Sequence, residues 1–340
     1  MATGDLDTAT LRDFLADRRP ELADGPLTAE LITGGKSNLT YVVTDGSRRW
    51  ILRRPPLGHV LATAHDMARE YRVLAALAGT AVPVPEVLLL NDDAEPLGAP
   101  FYLMSEVRGT VYRSAAETDQ LGAERARALS FQLVDVLADL HVIDPASVGL
   151  ADFGRPDGFL ERQVRRWRMQ LDASRSRELP ELDELHGLLA GSVPATGRHS
   201  IVHGDYRLDN TIVDDEDRIA AVVDWEMATL GDPLADLGLL CVYWDAYEEV
   251  PHSPLQGGIT REAGFPAAHE LVDRYAVRSG ADLADWPWYL AFGHFKLAVI
   301  AEGIHYRDLQ GKTVGAGFDR MGDAVLPLAR YGLTALTATP

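Results

Sequence analysis

The chain has 340 residues, 46% of them hydrophobic, and 32 basic against 51 acidic side chains leave a net charge of −19. This is apolar material for about two domains of ~150 residues, which excludes a mainly disordered chain. So acidic a field repels a polyphosphate backbone, so nucleic-acid binding is not expected, whereas a cationic small substrate is compatible with it.

The first residues, Met1-Ala2-Thr3-Gly4-Asp5-Leu6-Asp7, lack an apolar segment, which argues against secretion and for a cytoplasmic protein. No stretch approaches the ~18 apolar residues of a membrane span, so no membrane partner is expected. The lone Cys241 excludes an internal disulfide and a cysteine-based zinc cluster. In that setting the Asn38-Leu39-Thr40 sequon is incidental. The charge is uneven: residues 1–110 hold 11 basic and 15 acidic side chains, net −4, and residues 111–340 hold 21 and 36, net −15.

Residues 27–33 read as a strand, followed by the loop Gly34-Gly35-Lys36-Ser37-Asn38 and a second strand over 39–44. Asp45-Gly46 signals a hairpin into Trp50-Ile51-Leu52-Arg53. Residues 64–78 suit a helix with Met67, Tyr71 and Leu74 along one face. Pro83-Val84-Pro85 forces an extended entry into a strand over 87–90, and 101–104 is another. Then the period changes. Residues 123–140 are strongly helical, and 158–172, 233–247, 267–278, 284–304 and 319–336 also read as helices. Short strands at 211–213 and 219–223 flank the acidic turn Asp214-Asp215-Glu216-Asp217. The expectation is an α+β chain: a β-rich lobe over 1–105 and a larger helical lobe over 106–340.

Two segments carry the chemistry. Ile201-Val202-His203-Gly204-Asp205-Tyr206-Arg207-Leu208-Asp209-Asn210 and Ala221-Val222-Val223-Asp224-Trp225-Glu226 both run from apolar residues into carboxylates. Short buried strands deliver polar groups to a site in this way. Asp205, Asn210 and Asp224 form an oxygen-rich set of the kind that suits Mg²⁺. Asn210 and Asp224 could share one ion, leaving Asp205 to receive a proton. Taken singly, Asp205 and Asp209 also suit turns, and Asp224 a helix cap. His199 and His203 have no third ligand in sight, which argues against zinc.

His-Gly-Asp-x-x-x-x-Asn followed by Val-Asp-Trp resembles the catalytic and metal loops of the aminoglycoside phosphotransferase and choline kinase superfamily, which has a protein-kinase-like two-lobed fold. Gly158 to Trp167, Thr229 to Gly238 and Glu302 to Arg307 look like the phosphotransferase-like domains found fused to acyl-CoA dehydrogenases. The resemblance implies ATP and Mg²⁺ as cofactors and a small-molecule hydroxyl as acceptor, with ATP between the lobes. It makes Asp205 the catalytic aspartate and Asn210 and Asp224 the Mg²⁺ ligands. His203 becomes a structural brace, and Arg207 a cation near the γ-phosphate. Gly35, Ser37 and Asn38 fall in the phosphate-covering loop, although hairpin chemistry explains the glycines equally well. The loop is not a Walker A motif, because Glu30 stands where a glycine is required.

One departure stands out. Kinases usually present a lysine on the third strand, and here Arg53 takes that place, as in the fused-dehydrogenase relatives, which argues against simple inactivation; Arg54 follows and points to the opposite face. Glu70 matches the helix acid that pairs with this cation. The hinge between lobes falls at Phe101 to Val107, where adenine would bond the backbone near Ser105 and Val107. Trp225-Glu226 replaces the Phe-Gly of protein kinases, so no switch of their kind is expected. The aromatic stretch Trp286 to Phe295 reads mainly as core. Arg162, Arg165, Arg166 and Arg168 read as a salt-bridged face or as a site for an anionic acceptor. The acceptor itself is left open between an aminoglycoside-like cation and a hydroxylated acyl or carboxylic metabolite. Nucleotide binding without transfer is the further alternative.

Overall fold

The computed structural model of the chain describes residues 6–32, 38–56, 66–249, 259–313 and 318–337. It is a mixed α+β protein that divides into two compact units. One runs to Gly109 and takes in Ala220–Glu226; the other comprises Thr110–Ile219 and the chain from Met227.

The first unit is built on five antiparallel strands, β1 (Thr28–Leu31), β2 (Leu39–Thr44), β3 (Arg49–Arg54), β4 (Val87–Asn91) and β5 (Phe101–Ser105), in the order β1-β2-β3-β5-β4. Strand alternation sorts the residues. Tyr41, Val43, Trp50, Leu52, Phe101 and Leu103 share one face and pack with Leu11 and Leu15 of helix α1 (Thr8–Arg18). Each such side chain contributes roughly 1.5–3 kcal/mol of burial. The opposite face carries Arg53, paired in register with Thr40 and Tyr102. Arg54 falls on the apolar face, where its Nη2 donates to Tyr41 Oη at 3.1 Å and Nη1 to the Leu97 carbonyl at 3.2 Å. Helix α2 (Met67–Leu77) starts at Asp66, whose side chain accepts from the Arg69 amide, and buries Glu70, Val73, Leu74 and Leu77.

The second unit is helical. In chain order it holds α3 (Ala115–Thr118), α4 (Ala123–Val142), α5 (Phe159–Ser174), α6 (Pro180–Gly191), α7 (Leu234–Glu249), α8 (Ala268–Ser279), α9 (Trp286–Leu309) and α10 (Met321–Thr337). Strand β6 (Ser200–Val202) pairs antiparallel with a later strand, Thr229–Gly231, and Val213 in the strand Thr211–Val213 bridges to Thr110. The strand Ile219–Val222 leads into the segment that ends the first unit. In α9, Trp288 stacks on Phe292 with ring centroids 5.3 Å apart, and Phe295 is buried, so this aromatic stretch is core. Among the described residues no helix is long and apolar enough to cross a membrane.

Several elements differ from the sequence reading. Helices α1 and α6 and the strand Thr229–Gly231 were not anticipated, and α9 runs five residues past the expected end at 304. Helix α1 buries little beyond Leu11 and Leu15, too narrow a stripe to read. The acidic turn does fold as one: Asp214 Oδ1 accepts from the amides of Glu216 and Arg218, both at 2.9 Å.

Candidate active site

In the second unit, β6 ends at Val202 and delivers His203-Gly204-Asp205 in a loop held from several directions. Asp236, in the first turn of α7, accepts the His203 amide at 2.6 Å and the Gly204 amide at 2.9 Å. Its carboxylate also faces His141 Nε2 at 3.4 Å, while His141 Nδ1 meets Tyr275 Oη at 2.7 Å. Lys296 Nζ, from α9, donates to the Gly204 carbonyl at 2.7 Å and lies 5.4 Å from the Trp167 ring centre. Burial lowers the pKa of this lysine, with Asp205 and Asp236 opposing. Gly204 is required here. Its φ is +86°, and a Cβ would sit 2.8 Å from Met227 Cβ and from the Met227 carbonyl oxygen.

This grip presents Asp205 about one-third exposed. Asn210 Nδ2 donates to the Asp205 carbonyl at 2.8 Å and to Asp205 Oδ2 at 3.2 Å. The amide nitrogen of Asn210 is thereby committed, which leaves Oδ1 as the atom that can turn to a cation. Arg207 lies between two aspartates, its Nε 3.5 Å from Asp205 Oδ2 and its Nη2 3.1 Å from Asp209 Oδ2. The guanidinium covers the ring of Tyr243 at 4.9 Å, and the Tyr243 hydroxyl bonds Asp205. His203 is fully buried, its ring 5.8 Å from that of Tyr206.

In the first unit, Arg53 is the centre of a carboxylate cluster. Its Nε lies 2.9 Å from Glu70 Oε2, and its Nη2 lies 2.5 Å from Asp224 Oδ1 and 3.6 Å from Glu226 Oε2. Tyr102 Oη donates to Glu70 Oε2 at 2.9 Å. The Asn38 side chain donates to Glu70 Oε1 at 3.0 Å and Glu226 Oε2 at 3.2 Å. Asp224 has a φ of +67°, which an aspartate tolerates better than most residues because its short polar side chain bonds locally. Burial works against the charge on Arg53, but the carboxylates outweigh it and hold the guanidinium above its ordinary range.

Burial pushes the Glu70 carboxyl up to about 7, with the Asp224 and Glu226 charges adding to it and Arg53 and Tyr102 opposing. A folded-state pKa above the ordinary 4.5 means that the folded chain binds this proton more tightly than the unfolded chain. Stability from this group is therefore full at low pH and is lost as pH rises toward about 7. The slope approaches ~1.4 kcal/mol per pH unit. Glu70→Gln is expected to flatten the fall of Tm between about pH 5 and pH 7, which thermal unfolding across a buffer series would measure.

Of the other expected site residues, Ser105 ends β5, where its amide donates to the Glu86 carbonyl at 2.8 Å, and Val107 is half-buried two residues on. Gly35 and Ser37 lie outside the described residues. Among Arg162 to Arg168, Arg162 bonds nearby carbonyls and Arg168 pairs with Asp172 and Asp183, which makes much of this stretch a salt-bridged face. Asp236, Tyr243, Lys296 and Glu226 were given no role from the sequence. Asp236 sits inside a segment already singled out by resemblance. The contact that gives Lys296 its place spans 92 residues and has no local signal.

Among the described residues no group of three or more His, Cys, Asp or Glu side chains is placed to hold a metal. An ion at Asn210 or Asp224 would therefore complete its shell mainly from phosphate and water oxygens. That fits Mg²⁺, which takes few protein ligands, and the amide and carboxylate oxygens here are hard donors.

A family model described as "Phosphotransferase enzyme family" matches residues 28–286. Acyl-CoA dehydrogenase family member 11 of Rattus norvegicus is 36% identical over 311 residues, covering 90% of this chain and 40% of that protein. The chain thus spans about two-fifths of the length of such curated relatives. A solved Ralstonia eutropha structure, assigned as an aminoglycoside phosphotransferase, superposes with a TM-score of 0.83 at 31% identity and covers 98% of both chains. The aminoglycoside phosphotransferase APH(4)-Ia, solved with AMP-PNP and hygromycin B, has a TM-score of 0.61 at 15% identity, covering 97% of this chain and 99% of its own, a likeness of fold alone.

Proposed function

We propose that this chain, which belongs to the phosphotransferase enzyme family, moves the γ-phosphate of ATP to a hydroxyl of a small molecule. The observation that carries this reading is the loop at Asp205. A partly exposed carboxylate is held by Asn210, while its backbone is fixed through Gly204 by Asp236 and Lys296. That is the preorganisation a proton acceptor needs. The acceptor oxygen bonds to the γ-phosphorus, the bond to the β–γ bridging oxygen breaks, and ADP leaves with that electron pair. The hydroxyl proton passes to Asp205.

Asn210 Oδ1 and the Asp224 carboxylate would hold Mg²⁺, which when bound neutralises charge on the phosphates. Arg53, paired with Glu70, is the phosphate-binding cation, and Arg207 supplies charge near the γ-phosphate. The loop containing Gly35, Ser37 and Asn38 covers the phosphates, and the backbone at Ser105 and Val107 takes adenine. A single buried Cys241 suits a reducing compartment, so we place the activity in the cytoplasm.

For the acceptor, the charge near Asp205 supports one of the two classes. Lys296 attracts Asp205, and Arg166 lies close enough to Lys296 to repel it, so two cations stand on this side of the loop. This favours a hydroxy acid or hydroxyacyl thioester over a polycationic sugar, in keeping with similarity to a protein named as an acyl-CoA dehydrogenase family member. An ATP-consumption screen over hydroxy acids, hydroxyacyl thioesters and aminoglycosides tests this, with turnover expected in the first two groups. Consumption confined to aminoglycosides would reverse the acceptor assignment. Binding of Mg·AMP-PNP without turnover on any alcohol would favour the non-transferring alternative, whose support is that Arg53 is shared by three carboxylates.

A further inference from the structure

Arg53 meets three carboxylates, and they divide its guanidinium unequally. Glu70 pairs with it by charge, Oε2 standing 2.9 Å from Nε without a hydrogen bond there. Nη2 is shared, 2.5 Å from Asp224 and 3.6 Å from Glu226. Glu226 is held in this place. Its Oε2 accepts from Asn38, whose side chain is 5% exposed and also bonds Glu70, so the two outer carboxylates are linked through one buried amide. The chain geometry brings Asp224 and Glu226 to the same cation. Asp224 turns the backbone through a positive φ, and Trp225 is buried with Nε1 donating to the Val222 carbonyl at 3.0 Å.

A planar guanidinium fixes its donors along two edges and needs acceptors in those directions, whereas an ammonium at the same place is a point charge whose three N–H groups rotate to whichever acceptors remain. A cation at Asp224 also draws on the same carboxylate that Arg53 uses. A buried guanidinium that loses an acceptor is costly to leave unpaired. A second carboxylate within reach of the same Nη2 removes that penalty.

We propose that Glu226 is a positioning residue for Arg53, the carboxylate onto which Nη2 shifts when Asp224 turns to a divalent cation. This rests on the nucleotide-binding reading above. Glu226 is therefore tied to the arginine at position 53: with a lysine there, its removal has little effect.

Calorimetric titration with AMP-PNP in excess MgCl₂ tests the idea without any acceptor. Glu226→Gln is expected to weaken binding roughly tenfold, and Glu226→Asp to restore most of it. In an Arg53→Lys background, adding Glu226→Gln is expected to change affinity by less than about twofold, the signature of coupled residues. The Tm of Glu226→Gln without ligand is expected to stay level or rise, because one of three like charges is removed. Affinity of Glu226→Gln within about twofold of the parent overturns the proposal, as does an equal loss in both backgrounds. A fall in Tm that accounts for the lost binding, with no recovery in Glu226→Asp, also overturns it. If the parent protein itself takes up no Mg·AMP-PNP, the functional reading fails, and this inference fails with it.

Discussion

Asp205→Ala is expected to cut phosphoryl transfer by roughly 10²–10⁴-fold while leaving Mg·AMP-PNP affinity within a few-fold of the parent. The split follows from how Asn210 is anchored. Its Nδ2 makes two bonds to residue 205, one to the carbonyl at 2.8 Å and one to the carboxylate at 3.2 Å. Only the second depends on the side chain. The variant therefore removes the proton acceptor but keeps Asn210 tethered, with Oδ1 in place. Asp205→Asn, which keeps the shape and one acceptor oxygen, is expected to be nearly as inactive. Turnover of the Ala variant at a rate near the parent's would sink the assignment of Asp205 as the catalytic group. A comparable loss of nucleotide affinity would show that it acts in binding instead.

Asp236→Ala is expected to destabilise the chain by roughly 3–5 kcal/mol, the largest effect on folding anticipated for a single site. The carboxylate is 3% exposed and takes the amides of His203 and Gly204, with His141 against it. Truncation strands the buried His203 N–H and the part-buried Gly204 N–H and leaves His141 with Tyr275 alone. Burial alone would raise the pKa of Asp236. The bond and charge of His141, with His203 behind, outweigh burial and lower it. A depressed folded-state pKa stabilises the fold above the ordinary 3.8 and is lost as pH falls through the folded value. The variant should thus lose most stability near neutral pH and least in acid, which denaturant titrations at the two pH values would show. A change below about 1 kcal/mol at neutral pH would mean that the loop holds itself.

How far the sequence could be read depends on whether a residue's partners are near it in the chain. The loop from His203 to Asn210 is legible because several uncommon residues stand at fixed spacing, and the Asn210–Asp205 bonds span only five positions. Strand alternation separates Arg53 from Arg54, and their surroundings differ accordingly. Gly204 was legible as part of a motif, but its steric reason, the approach of Met227, was not. The resemblance puts Asn38 in the phosphate-covering loop, and nothing in its neighbours reveals what its side chain bonds. Its observed partners lie 32 and 188 positions away and leave no local trace. Lys296 sits in a helix whose aromatic residues are core, so its polar task is hidden by the company it keeps. Helix α6 has the spacing of a helix in Leu182, Leu185 and Leu189 and begins on Pro180, a start signal legible in the sequence.

The paired arginines of β3 have a bearing on how faithfully this sheet assembles. A slip of that strand by one position would bring Arg54 to the acidic cluster, so residue type alone would not expose the error. The slip would, however, carry Pro55 into the place of a ladder residue and withdraw its hydrogen-bond donor, and it would turn Trp50 and Leu52 toward the wrong side. The frame of the third strand is thus guarded by the proline and the apolar residues, and the two adjacent guanidiniums can serve unrelated ends without being exchanged.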